Sequence, residues 1–265
     1  MASVRRRPLL TLLQERFPDS SKEELFARIL CGEVLLAGGV CRDPKQSVSR
    51  DAEIEFLSKS YVSRGGEKLA SAYAAWEFPI AGKVFVDAGA STGGFTDFLL
   101  QHGAQRVHAV DVGYNQLDFR LRTDSRVINH ERTNILDLKE LDPEPDAAVG
   151  DLSFRSLRRA AAHTLKLTRE GWGVFLLKPQ FELGGAEREF DGVVSDQGQL
   201  GRVVLATLED LASEGLSPES IIPAGIKGRK GNQEYLLRLR FANEAEELIR
   251  KQALMLWEGL FGPQS

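Results

Sequence analysis

Cysteine is scarce in this chain: Cys31 and Cys41 are the two among 265 residues. Such a pair builds neither a disulfide framework nor a cysteine metal cluster. Both are expected to fill a small apolar core, in a reducing cytoplasmic setting. Histidine is almost as sparse, and His102, His108, His130 and His163 show no ligand spacing, so no metal site is expected. No run approaches the roughly 18 apolar residues of a membrane span. Arg5-Arg6-Arg7 precede the apolar stretch Leu9 to Leu13, but Gln14, Glu15 and Arg16 end it too soon for a signal peptide. An overall basic charge is missing too. The net charge is −4, awkward for a nucleic-acid binder, though a basic footprint need only be local and the charge alone decides nothing; no DNA partner is expected. Basic residues cluster only locally, at Arg5 to Arg7, at Arg155, Arg158 and Arg159, and at Lys227-Gly228-Arg229-Lys230.

What is present describes an ordinary globular chain, with 42% hydrophobic and 27% charged residues, enough for one good core and a small appendage. Its most informative stretch is Asp87-Ala88-Gly89-Ala90-Ser91-Thr92-Gly93-Gly94-Phe95, directly after Val84-Phe85-Val86. An apolar run that ends in small residues and opens a helical pattern reads as strand, tight turn, helix. Such a turn presents backbone N–H groups at a helix N-terminus, where an anionic group is held. The spacing Gly-x-x-x-Gly-Gly differs from the Gly-x-Gly-x-x-Gly of dinucleotide binders. It fits S-adenosylmethionine better, which has a carboxylate and a cationic centre but no pyrophosphate. Val107 to Asp111 forms a second strand ending in an acid, placed where ribose hydroxyls are received in this type of fold. Gly89, Ser91, Gly93, Gly94 and Phe95 would then surround the methionine portion behind Asp87. Thr133 and Asn134, after the third strand, would border the adenine, or simply make a turn and helix start.

Residues 8–58 read as a separate small domain and 59–265 as the main one. Leu9 to Phe17 is a short amphipathic helix, and Asp19-Ser20-Ser21 caps a second one with Glu23 and Glu24 in its first turn. Gly38-Gly39 between apolar residues signals a hairpin, and Asp51 to Phe56 alternates as a third strand. From Ser21 through Gly32, Val34 and Gly38 the stretch resembles the small RNA-binding domain of a primary-binding ribosomal protein, found also in pseudouridine synthases and tyrosyl-tRNA synthetases. In this chain Lys22 and Arg28 are accompanied by Glu23, Glu24 and Glu33, so a purely structural appendage stays open.

In the main domain a helix opens at Tyr61 and runs toward Trp76. Strands are expected at 83–88, 107–112, 127–131, 146–151 and 172–177, with helices near 94–102, 156–167 and 197–213. Leu200, Val203, Val204, Leu208 and Leu211 form the apolar stripe of the last. Regular alternation implies a mostly parallel sheet covered on both faces. Ser220 to Pro223 and Tyr235 to Phe241 then add an antiparallel edge, and a terminal helix follows Asn243. Ligands bind beyond the carboxyl ends of such strands. Asp151 and Lys178 stand at two of those ends, Glu234 begins the antiparallel strand at the same edge, and Lys68 lies on the helix just upstream. Four charged residues converge there.

Here the motifs carry a resemblance. Ser63-Arg64-Gly65-Gly66-x-Lys68-Leu69, Asp87 to Asp97, Asp111-Val112-Gly113-Tyr114, Glu131-Arg132-Thr133-Asn134, Asp151-Leu152-Ser153-Phe154, Lys178-Pro179-Gln180-Phe181-Glu182 and Lys227-Gly228 with Gly231-Asn232-x-Glu234 look like the TlyA family. Those are RNA methyltransferases with an FtsJ-type catalytic domain. The resemblance implies an α/β, Rossmann-like S-adenosylmethionine-dependent methyltransferase fold with a small N-terminal α+β RNA-binding domain. It implies 2′-O-methylation of ribose in ribosomal RNA, commonly at cytidine, on free RNA or ribosomal subunits. The Lys-Asp-Lys-Glu tetrad of FtsJ-type enzymes carries over to Lys68, Asp151, Lys178 and Glu234. A ribose hydroxyl must lose its proton while it attacks the methyl group. A lysine accepts that proton only if burial or a nearby cation brings its pKa down from ~10.4; otherwise it serves as a cation facing the developing alkoxide. Lys178 is favoured as base, Lys68 as contact to the substrate hydroxyl, and the carboxylates as orienting groups. Some family members are labelled haemolysins, so a membrane-active protein is one alternative. An RNA-binding module with an inactive methyltransferase domain is another.

Overall fold

The computed structural model describes residues 6–56, 61–152, 157–183, 192–228 and 230–262. Strand β1 (Arg7–Pro8) leads into helix α1 (Leu9–Arg16), which buries Leu9, Leu12 and Leu13. Ser21 caps α2 (Lys22–Leu30), its hydroxyl accepting from Glu24 N at 3.1 Å. That bond satisfies an N–H the first helical turn would leave unpaired. The expected hairpin forms between β2 (Val34–Leu36) and β3 (Gly39–Cys41). β4 (Ser47–Val48) pairs with β1, and β5 (Ile54–Phe56) adds to β2. The last strand is shorter than its alternating pattern, because Ala52 N bonds back to Ser49 O and turns the chain. Leu9, Leu12, Leu13, Leu25, Ile29, Val34, Cys41 and Val48 make a core of their own.

Cys31 departs from the sequence expectation. Cys41 is buried in that core, whereas Cys31 is half-buried and donates its Sγ–H to Asp118 Oδ1 at 3.0 Å. Burial and the facing Asp118 push the thiol up to about 11, so it remains a protonated donor. Beside it Arg120 reaches the buried Glu33 at 2.9 Å, and Phe26 meets Phe119 edge to face at 5.8 Å.

From Tyr61 onward the chain alternates helix and strand: α3 (Arg64–Trp76), β6 (Val84–Ala88), α4 (Gly94–Gln101), β7 (Arg106–Val110), α5 (Phe119–Thr123) and β8 (Val127–His130). A single 3-10 turn, Ile135–Asp137, precedes β9 (Ala147–Gly150), α6 (Ala160–Lys166), β10 (Trp172–Leu177), α7 (Pro179–Glu182) and α8 (Gln197–Ser213). β11 (Leu216–Pro223), β12 (Tyr235–Phe241) and α9 (Glu246–Phe261) complete the described chain. The seven-stranded sheet has the order β11-β12-β10-β9-β6-β7-β8. The five strands from β10 to β8 are parallel, and β12 and β11 are antiparallel to their neighbours.

Successive residues of the inner strands feed two cores. Val86, Ala88, Ala148 and Phe175 meet α6, α8 and α9 on one face. Phe85, Val149, Val174 and Leu176 meet α3 and α4 on the other. Full burial on both faces explains why these strands are continuously apolar. Of the α8 stripe, Leu200, Val204, Leu208 and Leu211 are buried and Val203 only half so. The helix expected at 156–167 begins later, at Ala160. Arg159 takes φ of 60°, with its N–H held by both carboxylate oxygens of Glu214 at 2.9 and 2.8 Å. β7 ends at Val110, before Val112, because Gly113 N folds back onto Asp111 Oδ1 at 2.7 Å. Short elements such as β1, β4, α5 and α7 carry too few residues for a periodic signal.

Candidate active site

β6 pairs with β7 on one side and β9 on the other, so the chain reverses its direction of travel across the sheet at β6. A crevice opens at such a reversal, beyond the carboxyl ends of the strands. Ala88 is in register with both Val110 and Gly150, which brings Gly89, Asp111 and Asp151 out at one edge. Gly89 takes φ of 82°, and a Cβ there would lie 2.8 Å from the Asp151 carbonyl oxygen. Only glycine allows that approach. A cavity of about 440 Å³ lies over this edge, bordered by Gly89, Asp111, Gly113, Thr133, Asn134 and Asp151. A smaller one, about 80 Å³, shares Gly89, Ser91 and Asp151 and adds Asp87, Gly94 and Phe95.

Asp87 is fully buried. Its Oδ2 accepts from Thr96 N at 3.0 Å and Thr96 Oγ1 at 2.7 Å, while Oδ1 has no hydrogen-bond partner among the described residues. Burial is the main cause that pushes the Asp87 carboxyl up to about 7; Thr96 opposes it, and the Asp151 and Asp111 charges add to it. A buried acceptor with nothing to accept from is costly unless a ligand supplies the donor. The arrangement suits a ligand with an ammonium at this end and a nucleoside at the other. Asp111 accepts from Ser91 N at 2.8 Å and Gly113 N at 2.7 Å. A carboxylate has about four lone-pair positions, so two remain for hydroxyls.

The anticipated tetrad resolves into two pairs at the same edge. Leu177 faces Tyr235 across the antiparallel ladder, so Lys178 leaves β10 where Glu234 enters β12. Lys178 Nζ lies 2.5 Å from Asp151 Oδ1. Lys68, buried on α3, donates to Glu234 Oε2 at 2.5 Å. Only Asp151 of the four borders the cavities.

The other anticipated residues divide. Ser91, Gly94, Phe95, Thr133 and Asn134 border a cavity. Asn134 also closes the 3-10 turn, its Oδ1 accepting from Leu136 N at 3.2 Å. Gly93 does not border either cavity; a Cβ there would strike Leu121 and Leu117 instead. Ser153, Phe154, Arg155, Arg229 and the loop from Gly184 to the residue before Gly192 lie outside the described residues. Sequence reasoning assigned no role to Gln116 or Leu152, which border the larger cavity, or to the buried Asn232. Asn232 Oδ1 accepts from Val194 N at 2.8 Å, its amide donates to Gly192 O, and Glu234 follows two residues on. Its place in the Gly231-Asn232-x-Glu234 motif was the available signal.

Known proteins resemble this chain over most of its length. The FtsJ-like methyltransferase family matches residues 61–241. The 16S/23S rRNA (cytidine-2′-O)-methyltransferase TlyA of Mycobacterium tuberculosis is 38% identical over 229 residues, 83% of this chain and 84% of that protein. Hemolysin A of Brachyspira hyodysenteriae is 37% identical over 213 residues, 78% of this chain and 89% of that one. A solved structure from Streptococcus thermophilus, described as a candidate hemolysin, superposes with a TM-score of 0.67 at 30% identity, covering 96% of both chains. Among the described residues no helix is long and apolar enough to cross a membrane, and no group of three or more potential metal ligands occurs.

Proposed function

The chain belongs to the FtsJ-like methyltransferase family, among the TlyA proteins, and from that premise we propose that it methylates the 2′-hydroxyl of a ribose, at cytidine, in ribosomal RNA. S-adenosylmethionine supplies an electrophilic methyl group on a sulfonium. The free Oδ1 of Asp87 receives the ammonium of that cofactor, and the open lone pairs of Asp111 receive its ribose. Thr133 and Asn134 border the base. Lys178 passes one proton to the Asp151 carboxylate that holds it and, as the neutral amine, takes the proton from the attacking hydroxyl. Lys68 has N–H groups beyond the one given to Glu234, and these contact the same hydroxyl. Orientation of the two reactants contributes on the order of 7–11 kcal/mol to such a step. The role of the carboxylates is to hold both amines in one geometry. Residues 8–58 contact the RNA and residues 59–265 carry the chemistry.

One observation carries the reading: Asp151 is at once the partner of Lys178 and a wall of the cavity that Asp87, with its unpartnered oxygen, also borders. The deciding experiment incubates the protein with tritiated S-adenosylmethionine and ribosomal subunits from cells lacking the gene. Label in 2′-O-methylcytidine is the expected result. A protein that binds the cofactor and labels neither subunit removes the assignment.

A further inference from the structure

Tyr114 and Val112 break the usual pattern of a folded surface. They are 63% and 67% exposed, the most solvent-open aromatic and one of the most open aliphatic residues among those described. Both follow Asp111, on the loop that leaves β7, and Val112 and Gly113 border the larger cavity. The Arg132 guanidinium lies 4.1 Å from the Tyr114 ring centroid. This pair is rigidly carried. Arg132 N bonds to Gly113 O at 2.9 Å, Thr133 N to Asp111 O at 2.9 Å, and Asn115 N to Glu131 Oε1 at 3.0 Å. Glu131 is in turn paired with Arg122. Asn115 and Arg132 take φ of 56° and 53°, a backbone region that costs non-glycine residues energy and tends to occur at working sites. A loop held this tightly, with its largest apolar ring turned to water, is built to meet something flat.

We propose that Tyr114, backed by Arg132, is a stacking platform for an unpaired base of the substrate RNA, at the nucleoside end of the cofactor cavity. An aromatic face with a cation over it is the arrangement that receives unstacked bases, since every base has a π-face and a phosphate close by. The contact binds RNA without touching the reacting atoms. The inference rests on the RNA-methyltransferase reading above and adds a substrate contact that the Lys-Asp-Lys-Glu group does not provide.

The test is steady-state methyl transfer by the full chain to unmodified ribosomal subunits, varying subunit and S-adenosylmethionine separately. Tyr114→Ala raises KM for the subunit roughly 5- to 100-fold, with kcat and KM for S-adenosylmethionine within about 2-fold of the parent. Tyr114→Phe keeps the ring and keeps KM. Arg132→Ala shifts KM in the same direction by less. An unchanged subunit KM in Tyr114→Ala overturns the proposal. So does a parallel rise in KM for the cofactor, which would make the ring a cover for the cofactor. A parent protein that transfers no methyl to either subunit fails at the earlier step, and the platform falls with the reaction.

Discussion

Two lysine–carboxylate pairs stand at one edge of the sheet, alike in composition and opposite in setting. Lys68 and Glu234 come from segments 166 residues apart and leave only 9% and 4% of their side chains exposed. Lys178 and Asp151 are equally close, but Asp151 is 26% exposed and faces both cavities. A sealed ion pair loses hydration on both sides, so removing one partner strands a charge in a poorly polarisable surround. A pair open to a cavity is partly hydrated and lies within reach of a ligand. The first pair therefore fastens α3 to the antiparallel edge and fixes where Lys68 presents its remaining N–H groups, and the second pair faces the cavities.

The largest effect that would sharpen this contrast is on turnover. Lys178→Ala should lower methyl transfer by roughly 10²- to 10⁴-fold, while calorimetry finds S-adenosylhomocysteine bound nearly as before. Unchanged turnover would remove Lys178 from the reaction. Next comes folding. Glu234→Ala strands Lys68 and should cost about 3–5 kcal/mol in denaturant unfolding, whereas Asp151→Ala strands Lys178, also 9% exposed but beside a cavity that water enters, and should cost less. Equal losses would break the comparison between the sealed pair and the open one.

A smaller effect depends on pH. The Asp87 carboxyl sits at about 7, well above its ordinary value of 3.8. A raised carboxyl binds its proton more tightly when folded, so its contribution to stability is complete below pH 3.8 and lost as pH rises through about 7. The slope in that window is at most about 1.4 kcal/mol per pH unit, and Asp87→Asn should flatten it. S-adenosylhomocysteine, whose ammonium needs the ionised acid, should bind more tightly as pH rises toward neutrality and level off above it. A pH-independent affinity in the parent would separate Asp87 from the ligand. The smallest effect belongs to a control at the opposite edge, where Lys83 and Glu170 form a pair with 22% and 35% of their side chains exposed. Lys83→Ala should change stability by about 0–1 kcal/mol and leave methyl transfer alone.

Local patterns revealed the long elements well. The bounds expected for α8 and β10 match those observed, because each offers many residues at one period. The glycine turn after β6 was legible from small residues that follow a buried apolar run. Among the short elements, β1, β4, α5 and α7 escaped, since they are held by contacts made elsewhere in the chain. Cys31 shows the same limit: its scarcity suggested a core thiol, but Asp118, 87 residues away, gives it a polar partner.

The order of motifs along the chain was enough to establish an α/β methyltransferase with acids at strand ends, because strand period, turn chemistry and the identity of charged residues are all local properties. Which lysine faces which acid is a different matter. That depends on Leu177 meeting Tyr235 across the sheet and on α3 crossing over β12, distances no sequence spacing encodes. Tertiary packing alone sealed Lys68 with Glu234, left Asp151 open to the cavity, and kept one oxygen of Asp87 without a partner. Burial and mutual distance govern the strength of a charge, and both belong to the folded chain.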